Sequence, residues 1–206
     1  MQKIILIRHG ETDWNAEQRL QGSIERPLNA AGIAQAEQLG HQFATLRLSK
    51  IYASPMIRAR QTAEEINRHH GLEIQLHSDL REGSFGAAEG MRRDEYHAKY
   101  APRLQAQAAL PHHERIRMRI LEDSESLWEV ASRALPALQA AAEGSVEEAY
   151  ALVVTHGMVI RAVLSVLFDL HDRHIFVDNG GYVILGRQDS EFLILEHSAI
   201  RMKLEG

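Results

Sequence analysis

The chain has 206 residues, of which 45% are hydrophobic and 25% charged, as is typical of a globular protein with a sizeable core. Its 23 Lys and Arg against 28 Asp and Glu leave a net charge of −5, which favours neither nucleic acid nor an anionic membrane. The absence of cysteine excludes disulfides, thiolate metal sites and a cysteine nucleophile. Met1 is followed almost immediately by the first predicted strand, and no apolar run approaches membrane-spanning length. We therefore expect a cytoplasmic protein without nucleic-acid or membrane partners.

The first predicted strand is the aliphatic run of residues 4–7, which ends abruptly at Arg8, His9 and Gly10. An uninterrupted apolar run is typical of a parallel strand that is buried on both faces. Ligands of open α/β sheets bind at the carboxyl ends of such strands, so a cation and an imidazole here predict an anion site. A strand that simply ends in polar residues is the alternative.

A polar stretch, residues 11–22, follows the first strand and contains Asn15, Gln21 and Gly22. Loops at this edge of a sheet commonly carry function. The Gln21 amide and the unhindered backbone N–H of Gly22 are candidate phosphate or substrate contacts, although a plain turn at Gly22 explains the glycine equally well. Asn29 is a predicted N-cap of the helix that comes next.

Arg58 lies in the first turn of a second predicted helix, just after a short strand over residues 50–54. A cation is unfavourable near a helix N-terminus unless an anion compensates it, so this placement indicates a ligand. Farther along, a glycine-rich loop, residues 79–90, offers two candidate acids, Glu82 and Glu89, either of which could instead be a solvated charge.

Residues 91 to about 123 interrupt the alternation of strands and helices, and their cationic side chains outnumber their carboxylates. We interpret this segment as a helical lid over the strand ends, whose charge suits an anionic substrate; a solvated charged face is the alternative. After an amphipathic helix that begins near Ser126, the apolar run 151–154 ends at Thr155, His156 and Gly157, and an apolar helix follows. Two buried strands that each deliver a His-Gly pair favour a shared site, in which one imidazole attacks and the other stabilises charge.

The alternation as a whole predicts an α/β fold: a three-layer α/β/α sandwich with a mostly parallel central sheet. We expect one catalytic domain over 1–206, with the lid insertion at about 91–123. Short closing strands are predicted over residues 182–185 and 192–196, joined by a turn at 188–190.

In their order along the chain, these residues resemble the histidine phosphatase superfamily, in its phosphoglycerate-mutase-like branch. The motifs that carry the resemblance are Leu6-Ile7-Arg8-His9-Gly10-Glu11-Thr12 with Trp14-Asn15, Pro27-Leu28-Asn29 with Gly32, Ser54-Pro55 with Arg58-Ala59 and Gln61-Thr62, Leu80-Arg81-Glu82 with Phe85-Gly86 and Glu89-Gly90, Glu125-Ser126, and Thr155-His156-Gly157 with Ile160-Arg161.

The resemblance implies that His9 is a nucleophile that forms a phosphohistidine, and that Glu82 is the general acid and then the base. It implies that Arg8, Arg58 and His156 hold the transferred phosphoryl group. Predicted substrate contacts are Asn15, Gln21, Gly22, Gly157 and Met158. We expect no cofactor and no metal, because guanidinium forks can neutralise phosphate charge.

Two departures favour a phosphatase over a mutase. Where the glycolytic mutases carry Glu-Arg-His-Tyr-Gly, this chain has Glu82-Gly83-Ser84-Phe85-Gly86, and where they place Asn-Ser it has Met158-Val159. Both changes remove polar contacts to a small, doubly charged substrate. The expected activity is therefore hydrolysis of a small phosphorylated metabolite. A bisphosphoglycerate-dependent mutase, in which Arg92 or Arg93 replaces the missing Arg, and a catalytically idle binding module remain as alternatives; the oligomeric state, including a homodimer, is left open.

Overall fold

The computed structural model describes residues 1–143, 148–170, 175–189 and 191–202. These residues form one six-stranded sheet with helices on both faces. The strands are β1 (Gln2–Arg8), β2 (Leu48–Ala53), β3 (Ile74–Leu76), β4 (Tyr150–Thr155), β5 (Ile175–Gln188) and β6 (Glu191–Met202). The α-helices are α1 (Asp13–Ala16), α2 (Ala30–Phe43), α3 (Ile57–Asn67), α4 (Arg93–Lys99), α5 (Ala101–Ala109), α6 (His112–Arg115), α7 (Leu127–Glu143) and α8 (Gly157–Leu167).

The strand order is β3-β2-β4-β1-β5-β6. The first four strands in this order pair in parallel, whereas β5 runs antiparallel to both β1 and β6. The prediction of a mostly parallel α/β sheet is therefore confirmed. The two closing strands are much longer than predicted, and Ser190, in the predicted turn between them, lies outside the described residues.

The aliphatic run of β1 explains why helices cover both faces of the sheet. Its side chains alternate, so Ile4 and Leu6 pack in a core with α7 and α8, while Ile5 and Ile7 pack in a second core with α2 and α3. All four side chains are fully buried. At roughly 1.5–3 kcal/mol for each large aliphatic side chain, their burial is a main source of stability and holds β1 in its register.

Local signals set the helix starts. Asn29 caps α2, since its side chain accepts a hydrogen bond from the N–H of Gly32 at 2.8 Å. Before α7, the Ser126 and Glu129 side chains each accept a hydrogen bond from the backbone N–H of the other residue. Both N-termini therefore lie where the sequence predicts them.

The parallel strands bring distant segments to one edge of the sheet. Arg8 pairs with Thr155 in the β1–β4 register, and the backbone N–H groups of His9 and Ser54 each donate to β4, to the carbonyls of Thr155 and Val154. The residues that follow β1, β2 and β4 thus meet at their carboxyl ends. Within the described ranges, no helix combines the length and apolarity needed to cross a bilayer.

Candidate active site

The two histidines that follow β1 and β4 lie side by side. The ring centroids of His9 and His156 are 5.1 Å apart, with an angle of 64° between the ring planes. Both residues are buried, with 2% and 0% of their surface exposed. The shared site that the sequence predicts thus has both imidazoles in contact.

The orientation of the His9 ring is set by its own loop. Nδ1 lies 2.7 Å from the carbonyl oxygen of Gly10, which can only accept, so Nδ1 carries the proton and Nε2 keeps its lone pair. The side-chain amide of Asn179 donates to the carbonyls of His9 and Gly10, at 3.1 and 3.2 Å. The Gly10 N–H donates to Thr62 Oγ1 at 3.0 Å, so the loop is fastened to both β5 and α3.

Electrostatics keep the His9 ring neutral. Burial lowers the pKa of His9 well below its usual value of 6.5, and the Arg58 and Arg8 charges lower it further. The hydrogen bond to Gly10 acts in the opposite direction. The pKa of His156 is also well below 6.5, first because of burial and then because of Arg58, His9 and Arg8. A neutral imidazole with a free Nε2 lone pair can act as a nucleophile.

Arg58 is fully buried in the first turn of α3. Its Nη1 and Nη2 donate to the carbonyls of Ile24 and Gly22 at 2.9 Å, and its Nε donates to His156 Nδ1 at 3.3 Å. Glu25 accepts a hydrogen bond from the N–H of Ile57 at the start of the same helix. Two backbone carbonyls and the Glu25 carboxylate therefore stabilise the Arg58 charge within the protein. The sequence interpretation considered only a bound ligand as the compensating anion.

His156 is the N-cap residue of α8 and bridges two elements. Because its Nδ1 accepts from Arg58, its Nε2 carries the proton and donates to Ser54 Oγ at 2.8 Å. Ser54 follows β2, so residues 98 and 102 positions away hold the ring of His156. This network fixes the orientation of the His156 ring beside His9.

Arg8 places a second guanidinium beside His9. Burial lowers the pKa of Arg8 to about 10, with the neighbouring Glu82 carboxylate acting against this, so the group stays charged at neutral pH. Its Nη1 donates to the Val177 carbonyl, while its buried Nε–H makes no hydrogen bond to any described residue. The neighbouring Gly157 leaves room for this side chain, since a Cβ there would lie 3.3 Å from Arg8 Nε.

The two candidate acids have different surroundings in the structure. Glu82 lines the cleft beside His9, and its Oε1 accepts from the N–H groups of Gly83 and Met158 at 3.0 and 3.1 Å. Glu89 is engaged elsewhere, with its carboxylate bound to the backbone and hydroxyl of Ser23. Of the two candidate acids, Glu82 lines the cleft together with His9, whereas Glu89 does not line it.

The predicted substrate contacts divide into two groups. Asn15, Gln21, Gly157 and Met158 line the cleft together with Arg8, His9, Arg58 and Glu82. Gln21 is buried, and its Oε1 has no partner among the described residues. Gly22 is not among the residues that line the cleft, and its carbonyl accepts a hydrogen bond from Arg58.

The cleft has a volume of about 220 Å³. Of the described residues that line it, six are arginines and two are carboxylates, so it suits a compact anion. Within the described part of the chain, no group of three His, Cys, Asp or Glu side chains is placed to hold a metal ion.

Three functional positions were not assigned roles from the sequence. Ser54 and Thr62 lie inside motifs that carry the family resemblance, but their hydroxyls gain a role only through contacts with His156 and Gly10. Asn179 lies on β5, ahead of the predicted strand over 182–185, and no local signal marks it.

The depressed histidine pKa values predict how stability depends on pH. Below pH 6.5 both histidines become protonated in the unfolded chain, whereas buried His9 and His156 stay neutral in the folded protein. The free energy of unfolding should therefore decrease as pH falls. Each such histidine contributes a slope of up to about 1.4 kcal/mol per pH unit. The His9→Asn variant should lose one such contribution between pH 6.5 and 5, as measured by denaturant titration at each pH. Equal slopes in the two proteins would contradict the assignment.

Fold and site together define a class of protein. The family model of the histidine phosphatase superfamily (branch 1) matches residues 4–199, and the chain belongs to this family.

The similar curated proteins include one named as a phosphatase and one named as a probable phosphoglycerate mutase. The uncharacterized phosphatase PhoE of Bacillus subtilis is 34% identical over 169 residues, which cover 80% of this chain and 77% of that protein. The probable phosphoglycerate mutase GpmB of Salmonella arizonae is 31% identical over 204 residues, 94% of this chain and 88% of the relative. The solved structure of Bacillus stearothermophilus YhfR is similar with a TM-score of 0.81 and 28% identity, covering 94% of this chain and 95% of that one.

Proposed function

We propose that the protein is a phosphomonoester hydrolase that transfers the phosphoryl group of a small metabolite first to His9 and then to water. The observation that carries the proposal is the neutral His9 ring, which donates its Nδ1–H to the Gly10 carbonyl and lines one cleft with Arg8 and Arg58. Phosphoryl transfer depends mainly on positioning and on neutralising charge, and this arrangement supplies both.

In the first step, His9 Nε2 attacks phosphorus, the N–P bond forms and the bond to the leaving oxygen breaks. Arg8 and Arg58 bind the phosphoryl oxygens, and the Nε–H of Arg8 is a buried donor for one of them. His156 joins them when its Nε2–H turns from Ser54 Oγ to a phosphoryl oxygen. Glu82, as a carboxylic acid, protonates the leaving oxygen, so that a neutral alcohol departs.

In the second step, the Glu82 carboxylate takes a proton from water, which attacks the phosphohistidine. The N–P bond breaks and inorganic phosphate leaves. The Nδ1–H bond to Gly10 keeps its direction throughout, so the same Nε2 is released for the next cycle.

Segment 91–123, which contains α4, α5 and α6, serves as a lid over this site in our proposal.

Hydrolysis is favoured over mutase chemistry by a steric relation between Gly83 and Met158. A Cβ at position 83 would lie 2.1 Å from Met158 Sδ and 3.1 Å from Val130 Cγ2. The Arg that the glycolytic mutases carry at this position therefore fits only if Met158 moves. Of the proposed substitutes, Arg92 is exposed and paired with Asp94, whereas Arg93 lines the cleft.

The product that the enzyme forms from 3-phosphoglycerate distinguishes the proposed phosphatase from a phosphoglycerate mutase, the activity for which one relative is named. We expect release of inorganic phosphate, with the same rate in EDTA and no stimulation by 2,3-bisphosphoglycerate. The assay follows phosphate and 2-phosphoglycerate separately, with p-nitrophenyl phosphate as a general substrate. Formation of 2-phosphoglycerate that depends on the bisphosphate would establish a mutase instead, and a strict need for metal would contradict the roles given to the arginines.

A further inference from the structure

A second, larger cleft adjoins the one that contains His9. Its volume is about 510 Å³, within the roughly 300–1,000 Å³ range of small-molecule pockets. The two clefts share a boundary that includes Phe85, Arg93, Met158 and Phe176. A phosphomonoester bound at His9 would thus direct its alcohol portion into this second space.

Beyond the shared boundary, the wall of the second cleft combines an apolar cluster with six polar residues, which are Ser84, His97, Gln107, Ser124, Glu125 and Ser126. The apolar cluster consists of Leu104 on α5 with Met118, Ile120 and Leu127, and Tyr96 on α4 adds an aromatic ring. Phe176 lines both clefts and is 56% exposed, with the Arg201 guanidinium 5.5 Å from its ring centroid.

Several polar groups on this wall already have partners within the protein. The Gln107 amide donates to the Met118 carbonyl at 3.0 Å, and Glu125 is paired with Arg133 at 2.9 Å. The Ser124 hydroxyl donates to the Leu121 carbonyl at 2.8 Å. Because these groups already form hydrogen bonds within the protein, they have fewer donors and acceptors left for a hydrophilic ligand. Apolar contacts should therefore contribute more to ligand binding in this cleft.

The cations of segment 91–123 are also mostly engaged. Arg93 alone of its seven Lys and Arg lines either of these two clefts. Arg119 is paired with Glu129, Arg117 stacks 3.6 Å from the Trp128 ring centroid, and Arg103 donates to the Ile120 carbonyl. The excess charge of the segment therefore acts largely within the protein, in contrast to the interpretation from sequence that it attracts substrate.

We infer that the substrate is a phosphomonoester whose alcohol carries a bulky, mainly apolar group, which occupies the second cleft while the phosphate lies at His9. The inference rests on the proposed phosphatase activity, which it makes more specific. The arginines select the phosphate and the apolar wall selects the alcohol.

A series of n-alkyl phosphates tests this selection, because propyl, hexyl and octyl esters share one type of leaving oxygen and differ only in apolar length. We expect kcat/KM to increase with length, by up to about fourfold for each fully buried methylene. All esters are used below their critical micelle concentrations, and glycerol 1-phosphate serves as the hydrophilic comparison. A flat series, or a preference for glycerol 1-phosphate, would overturn the inference while leaving phosphatase activity in place.

Leu104→Asp is the variant that places a charge in the apolar wall, at a half-buried position where folding should tolerate it. We expect its kcat/KM for octyl phosphate to fall at least tenfold more than its kcat/KM for propyl phosphate. Ala106→Asp, on an exposed position of the same helix, is the matched control and should leave the octyl-to-propyl ratio unchanged. Equal ratios in the two variants would refute the role of the wall.

Binding of non-hydrolysable alkylphosphonates separates this inference from the proposed function. Calorimetry should give a Kd for octylphosphonate at least tenfold lower than that for propylphosphonate, in the wild type and in Ala106→Asp. If no ester is hydrolysed, the proposed function fails, yet a length-dependent Kd still supports the apolar subsite. Equal Kd values for the two phosphonates would reject the subsite whatever the activity.

Discussion

Replacing His9 by alanine should lower kcat/KM for p-nitrophenyl phosphate by at least about 10⁴-fold, because the variant lacks the nitrogen that receives the phosphoryl group. It should also form no phosphoenzyme. In the wild type, rapid quenching during turnover should trap labelled phosphate on the protein at alkaline pH and lose it in acid, since phosphohistidine is acid-labile. Phosphate release and retained label are measured on the same samples.

The control for this variant is His113→Ala on α6, whose side chain is 77% exposed and lies outside the cleft. We expect it to retain wild-type turnover and the alkali-stable label. A His9→Ala protein with more than a few per cent of wild-type activity would contradict the nucleophile assignment. A wild-type protein that binds phosphate but never turns over would identify the binding module instead.

Replacing Glu82 by glutamine should slow the enzyme unequally for different leaving groups. The amide keeps an oxygen that can accept from the Gly83 and Met158 N–H groups, but it has no acidic proton to give. We expect kcat/KM to fall by about 10²- to 10⁴-fold for alkyl phosphates, which need protonation of the leaving oxygen. For p-nitrophenyl phosphate the fall should be much smaller, because p-nitrophenolate leaves without a proton. Initial rates across a series of leaving-group pKa values measure the difference.

Glu89→Gln is the matched control, since it makes the same change at the other acid of the loop. Its carboxylate binds Ser23 and does not line the cleft, so we expect no dependence on the leaving group. Equal slowing of aryl and alkyl esters by Glu82→Gln would show that Glu82 positions other groups and is not the acid.

The pairing of the two histidines was accessible from the sequence because it follows from a general rule. Two aliphatic runs that each stop at a His-Gly pair are buried parallel strands, and such strands end at the same edge of a sheet. The β1–β4 register and the 5.1 Å between the rings agree with this expectation. The helix starts at Asn29 and Ser126 were equally accessible, since capping depends on residues only three positions apart.

Other features depend on contacts that no local pattern specifies. Ser23 binds the Glu89 carboxylate. Asn179 binds the carbonyls of His9 and Gly10, about 170 positions away. Gly22 illustrates the same limit, because no local pattern indicates that its carbonyl accepts a hydrogen bond from Arg58.

The sequence by itself therefore determined the α/β layers, the ends of the buried strands and the residue types that meet there, because hydrophobic periodicity and capping are local properties. The tertiary structure alone decided which tautomer His9 adopts, which groups surround Arg58 and which side chains of segment 91–123 line the second cleft. These features arise between segments that are distant in sequence and are brought together by folding. Burial there changes the pKa values of the histidines and arginines, and hydrogen-bond partners are set by tertiary contacts.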